Sequence, residues 1–327
     1  MYRTPLLVKH LAWCGLAACS ALASPAMAQT YPTKPVRVIV PFPPAGAADL
    51  LTRTLGQKLG EAWGQQLVVD NRPGAGGNLG LEIVAKSAPD GYTAVMAPVT
   101  TNAIGMHTYA KLGFNLEKDL APVSLVGNVP HVLVSHPTLP ARNVKELVAL
   151  GKARPGELNF ASQGPGTLSH LEQELLKQMG GFKALHVPYK GSAPGIADLM
   201  AGNVALFFDS IPSALPHIKS ARVRALGVAS SSRSPALPDV PAIGESLKGF
   251  EADSWFGLMV PAATPREVIV KFNADVQKAL AHQEVKDRLL SVGGFVTSGG
   301  PAELAARIRE DVAKWGKVVR TAGIKAE

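Results

Sequence analysis

An α/β fold with largely parallel sheets is predicted by three features of this 327-residue sequence. From residue 36 onward, short β-branched runs, turns rich in glycine or proline, and longer stretches with helical apolar spacing follow one another repeatedly. No segment after the N-terminal one is apolar for long enough to span a membrane. The roughly 300 residues that remain after that segment exceed one typical hydrophobic core, so two domains are expected.

The first strand is read at 36–40 (VRVIV), followed by the turn PFPPAGAAD at 41–49. Leu51, Leu55 and Leu59 then recur every four residues, as one face of a helix does. A strand at 67–69 leads into the turn NRPGAGGN at 71–78 and a helix over 79–86. Pro89, Asp90 and Gly91 form a turn signal before a strand at 92–96. In the middle of the chain the pattern gives a strand at 132–134, a helix at 144–152, a strand at 158–161 and the turn SQGPGT at 162–167. Ser169 followed three residues later by Glu172 has the spacing of a capping box, opening a helix to Met179. Strand 184–187, segment PYKGSAPG at 188–195, a helix to Ala201 and strands at 204–208 and 223–228 follow. The last third adds a strand near 256–260 and two amphipathic helices, 266–292 and 301–321, joined by a Gly-rich connection.

The N-terminus reads as a secretory signal. Arg3 and Lys9 precede an apolar stretch from Leu11 to Ala23, then come Pro25 and the small residues Ala26 and Ala28, with cleavage expected after Ala28. A lipoprotein signal ending at Cys19 (Leu16, Ala17, Ala18, Cys19) is ranked second, because it leaves a short hydrophobic run before it. Cys14 and Cys19 are the only cysteines. A chain cleaved after Ala28 therefore has no thiol nucleophile, disulfide or cysteine metal site.

With 33 Lys and Arg against 25 Asp and Glu, the formal charge is +8. That balance suits an anionic ligand. Nucleic acid is disfavoured, since the basic residues are scattered and aromatics make up only 6%.

The turns at 41–49, 71–78 and 162–167 share one design, in which a strand ends, small residues follow and a helix begins. Free N–H groups at a helix start bind anions without a basic side chain. Gly74, Gly76 and Gly80 form a GxGxxxG spacing, which keeps a nucleotide-dependent oxidoreductase or another enzyme as the alternative reading. The elbow GxSxG, the loop GxxxxGK[ST] and the helix HExxH are all missing. His170 with Glu172 has the HxE form of zinc deaminases without the cysteines they need. Asp49 sits near a helix start, where the dipole favours it. Asp209 ends an apolar strand, where a carboxylate needs a partner or solvent.

The segments PFPPAGAAD (41–49), VVDNRPGAGGNLG (68–80), PDGYT (89–93), NFASQGPGTLSHL (159–171), HVPYKGSAPGIADLMAGNV (186–204), VRALGVASSSRSPALPDVPAIGE (223–245) and WFGLMVPAATP (255–265) carry a further signal. In this order, they resemble the Bug-type, or TctC-like, substrate-binding proteins of tripartite tricarboxylate transporters.

The resemblance implies a type II-like periplasmic binding protein that delivers its ligand to membrane permease subunits. Two α/β domains, 29–129 with 254–327 and 130–253, would enclose the cleft, with crossings near 128–131 and 251–255 serving as hinges. It implies a ligand carboxylate held by Phe42, Pro44, Ala45, Gly46, Ala47 and Asp49 from the first turn. Facing them would be Ala161, Ser162, Gly164, Gly166, Thr167, His170 and Asp209. Members usually carry two adjacent glycines where this chain has Ala45 then Gly46. The expected ligand is a di- or tricarboxylate, an amino acid or an aromatic acid, bound by a periplasmic monomer without catalysis, metal or cofactor. A periplasmic partner of a membrane sensor is the other non-catalytic reading.

Overall fold

The computed structural model describes residues 31–44 and 46–324. The signal segment with Cys14 and Cys19, and Ala45, lie outside the described residues. Eleven strands are seen among the described residues: β1 (Val36–Val40), β2 (Leu67–Asn71), β3 (Thr93–Pro98), β4 (Leu120–Asn128), β5 (His131–Ser135), β6 (Asn159–Ser162), β7 (Leu185–Pro188), β8 (Leu206–Ser210), β9 (Arg224–Val228), β10 (Trp255–Pro261) and β11 (Phe295–Gly299). They form two sheets, ordered β11-β4-β10-β3-β1-β2 and β7-β6-β8-β5-β9.

Strand direction sets the architecture. In the first sheet β1 pairs in parallel with β2 and β3, and in the second β6 pairs in parallel with β7 and β8. The strands that follow the two crossings run the other way. β10 is antiparallel to β3 and β4, and β5 is antiparallel to β8 and β9. Both sheets are therefore mixed, and the carboxyl ends of the parallel strands share an edge with the amino ends of β5 and β10. His131 lies opposite Ser210, and Phe256 opposite Pro98.

The helices bury the faces that their spacing predicts. Leu51, Leu55 and Leu59 of helix Ala47–Trp63 are at most 1% exposed and pack on the first sheet. Gly64 ends this helix at φ 62, a left-handed conformation that glycine adopts without steric cost. Helix Pro301–Ala322 packs against β4 of the first sheet and against helix Leu168–Gly180, which follows β6 of the second.

Three expectations need correction. The capping box at Ser169 is not formed: Thr167 is the N-cap of helix Leu168–Gly180. Ser169 Oγ instead accepts from the N–H of Gln163 in the preceding turn, and Glu172 turns inward to its buried long-range partner His131. The single helix over 266–292 is two, Arg266–Ala281 and Gln283–Ser291, broken at His282, whose ψ of 132 is extended. The Gly-rich connection after it contains β11, which pairs with β4. Finally, β4 and helix Ile211–Lys219 arise from segments in which Pro122, Pro212 and Pro216 interrupt the local pattern.

Candidate functional site

The shared edge of the two sheets opens on a cavity of about 550 Å³. Helix Ala47–Trp63 starts there after β1, helix Leu168–Gly180 after β6, and helix Ser192–Ala201 after β7. Each leaves its first N–H groups without intrahelical acceptors. The N-caps do not consume them. Gly46 and Gly191 have no side chain to cap with, and the Thr167 hydroxyl donates to the Gly164 carbonyl at 2.7 Å. Residues from all three starts line the cavity: Gly46, Ala47 and Ala48; Thr167 and Leu168; Gly191, Ser192 and Ala193. Three partial positive ends thus converge on one volume. Lys190 adds a cation, and none of the described lining residues is Asp or Glu. Phe42, Pro44, Pro98, Pro194 and Phe256 supply apolar wall, while Ser210, Ser213 and His217, at helical spacing, line another side.

Of the residues expected from the sequence, Phe42, Pro44, Gly46, Ala47 and Thr167 line this cavity. The other described ones are set behind it. Asp49 is buried and accepts from Arg53 Nε at 2.9 Å and Asn71 Nδ2 at 3.1 Å; the same Asn71 amide donates to the Phe42 carbonyl at 3.0 Å. Asp49 therefore braces the first turn rather than facing its concavity. Ala161 is wholly buried in the core of the second sheet. Ser162 Oγ accepts from the Gly164 N–H at 3.1 Å and meets His186 Nε2 at 2.6 Å. Gly164, at φ +140, approaches the Tyr189 carbonyl so closely that a Cβ would lie 3.3 Å from it. The Gly166 N–H donates to His170 Nδ1 at 3.1 Å, so this ring is an acceptor and neutral. Burial, reinforced by the Lys177 charge and by repulsion from His186 once that ring is protonated, depresses His170 to about 3.

Asp209, wholly buried, accepts from Gln163 Nε2, the Ser192 hydroxyl and the Ser210 N–H. Burial raises its carboxyl above the ordinary range, and these donors together with His131 offset only part of that rise. Sequence reasoning missed His131, Gln163, Lys190, Ser192, Ser210, Ser254 and Phe256 as lining residues. His131 Nδ1 lies 2.7 Å from Glu172 Oε2, with both side chains buried. Burial opposes the imidazolium, but Glu172 outweighs it and holds the His131 proton above the ordinary range. Burial likewise raises the Glu172 carboxyl, and the neighbouring His131 opposes that rise.

The glycines at 74–80 serve packing. A Cβ on Gly76 would meet the Tyr109 hydroxyl at 2.5 Å, one on Gly77 would meet Thr101 Cγ2 at 2.6 Å and Phe42 Cζ at 3.1 Å, and one on Gly80 would meet Pro41 Cβ at 2.7 Å. These residues seat the first turn from below.

Known proteins share this arrangement. Residues 51–324 match the family model described as tripartite tricarboxylate transporter family receptor (TctC). Protein BugT of Bordetella pertussis is 38% identical over 310 residues, covering 94% of this chain and 95% of that protein. Among solved structures, R. palustris Rpa4515 with adipate superposes with a TM-score of 0.84 at 34% identity, covering 90% of this chain and 99% of that one. The periplasmic binding protein BugD gives 0.81 at 32% identity, covering 91% and 100%.

Proposed function

Because the chain belongs to the TctC family of tripartite tricarboxylate transporter receptors, we propose that it captures a small organic acid in this cavity and passes it unchanged to membrane permease subunits. It is a solute-binding protein of the periplasmic class. The observation that supports the choice of ligand is the convergence of three helix N-termini on one cavity whose described lining has no acidic side chain. Hydrogen bonds to a charged group contribute roughly 1.5 to 3 kcal/mol each, and micromolar affinity needs about 8. A carboxylate bonded by a few N–H groups and covered by Phe42 and Phe256 reaches that range.

Under this reading Phe42, Pro44, Gly46, Ala47 and Thr167 contact ligand, while Asp49, Ser162, Gly164, Gly166, His170 and Asp209 hold the two turns. Residues 29–129 with 254–327 form one domain and 130–253 the other, and closure is about 128–131 and 251–255. The mature monomer begins at Gln29.

A thermal-shift panel of dicarboxylates, tricarboxylates, amino acids and aromatic acids tests the reading. A ligand at a hundredfold excess over Kd stabilises by about 2.7 kcal/mol. If no acid moves the melting curve of protein shown by native mass spectrometry to be empty, the carboxylate reading fails. Recovery of the bound acid chemically altered would instead make the protein an enzyme.

A further inference from the structure

Asp209 is held away from the cavity, yet two residues on the cavity wall reach back to it. Gln163 Nε2 donates to Oδ1 at 2.8 Å, the Ser192 hydroxyl donates to Oδ2, and the Ser210 N–H donates to Oδ1 at 2.8 Å. An ionised carboxylate can only accept, and three donors arranged around it fit that form. The Ser192 hydroxyl has one proton, and Asp209 takes it. Towards the cavity Ser192 can therefore offer only lone pairs. Gln163 is fixed in the amide orientation that keeps Nε2 on Asp209 and leaves Oε1 uncommitted to it. A wall meant only for an anion would present protons, whereas this one presents acceptors beside the helix N-termini.

We propose that Asp209 is a positioning residue that sets the polarity of this wall, and that the ligand carries a hydrogen-bond donor, a hydroxyl or an ammonium, as well as its carboxylate. The inference rests on the carboxylate reading of the same cavity. The carboxylate lies against the N–H groups of the helix starts, and the donor substituent reaches Ser192 Oγ and Gln163 Oε1. An acid without that substituent leaves both acceptors desolvated and unpaired. Sites built to bond a donor reject the analogue lacking it far more strongly than apolar pockets reject an added group.

Isothermal titration of the full mature protein with matched acids tests this. Suitable sets are succinate, malate and aspartate; glutarate, 2-hydroxyglutarate and glutamate; and 3-phenylpropionate, 3-phenyllactate and phenylalanine. In the set that binds best, the hydroxy or amino member should bind at least about tenfold tighter than the unsubstituted acid. Which of the two wins identifies the donor. In Asp209→Asn the amide supplies a donor of its own and frees the Ser192 proton, so the ratio should fall below about threefold. Ser192→Ala, which replaces only a half-buried hydroxyl, should shrink the ratio in the same direction even if Asp209→Asn folds poorly. Unsubstituted acids binding as tightly as their substituted partners would overturn the inference and leave the carboxylate reading standing. A ratio preserved in Ser192→Ala and in any folded Asp209→Asn protein would also overturn it. Failure of every acid to bind empty protein overturns both.

Discussion

The imidazole of His170 stacks on that of His186, with ring centroids 3.8 Å apart and planes 14° from parallel. His170 belongs to the first turn of a helix that opens on the cavity, and His186 belongs to β7, which leads to Lys190 and Ser192. The stack ties two of the three anion-facing turns together and does so with neutral rings.

Acid should loosen this tie. Burial, with Lys177 adding its charge, depresses His186 to about 4, as burial and like charge depress His170 to about 3. Below the unfolded value of about 6.5 the unfolded chain binds protons that the folded rings refuse, so stability rises with pH across this window. It is whole above pH 6.5 and is lost as pH falls towards 4. The melting temperature should drop over that range, and His186→Gln should make the slope shallower. Carboxylates add their own loss in both proteins, so the difference in slope is the readout; identical slopes would clear the histidines of any part in it.

Gly77 should be intolerant of a side chain. Its φ is 98, and a Cβ would press on Thr101 and on the Phe42 ring that lines the cavity. Gly77→Ala should cost about 1 to 3 kcal/mol in urea denaturation and weaken ligand binding as Phe42 moves. Gly64→Ala has a left-handed φ of 62 and open space around the new Cβ. It should cost about 1 kcal/mol and leave affinity unchanged. Equal losses of affinity in the two variants would mean that backbone strain, not the seat of Phe42, is responsible.

These contacts mark how far the sequence could be read. The turns after β1 and β6 were visible because proline and glycine follow a β-branched run, and they do bring Phe42, Pro44, Gly46, Ala47 and Thr167 to the cavity. His131 and Phe256 were not, because they reach it from the amino ends of strands whose antiparallel direction depends on pairing with β8 and β3. β4 was missed although it lies between β10 and β11, since Pro122 and Gly127 dilute its local strand pattern. Asp209 drew notice as a carboxylate ending an apolar strand, but its partners Gln163 and Ser192 come from other strand ends that only the fold brings together.

Arg307 should hold the second crossing. It donates to Asp311 at 3.0 Å and to Asp253 at 3.2 Å, and Asp311 also accepts from the Trp255 indole at 2.5 Å. Arg307→Gln leaves the buried Asp311 without its cation, and a loss of about 1 to 3 kcal/mol is expected in urea denaturation. Arg307→Lys should recover only part of this, because an ammonium cannot reproduce the guanidinium fork. Full recovery by lysine would show that charge alone, rather than the paired geometry, holds the crossing.

A negative charge placed on the wall should expel an acid while sparing the fold. Ser213 lines the cavity one turn from Ser210, its hydroxyl 3.0 Å from that of Ser210. In Ser213→Asp a second carboxylate roughly 6 Å from the ligand, at an effective dielectric of about 20, repels it by about 3 kcal/mol. That is on the order of a hundredfold loss of affinity. Ser213→Asn has nearly the same shape without the charge and should lose less than about fivefold. Raising the salt from 0.05 M to 0.5 M, as experimental choices, should recover part of the loss in Ser213→Asp and little in Ser213→Asn, since only the charged pair is screened. If the two variants weaken every carboxylate equally and respond alike to salt, repulsion is not what limits binding, and the helix starts are not where the acid group lies.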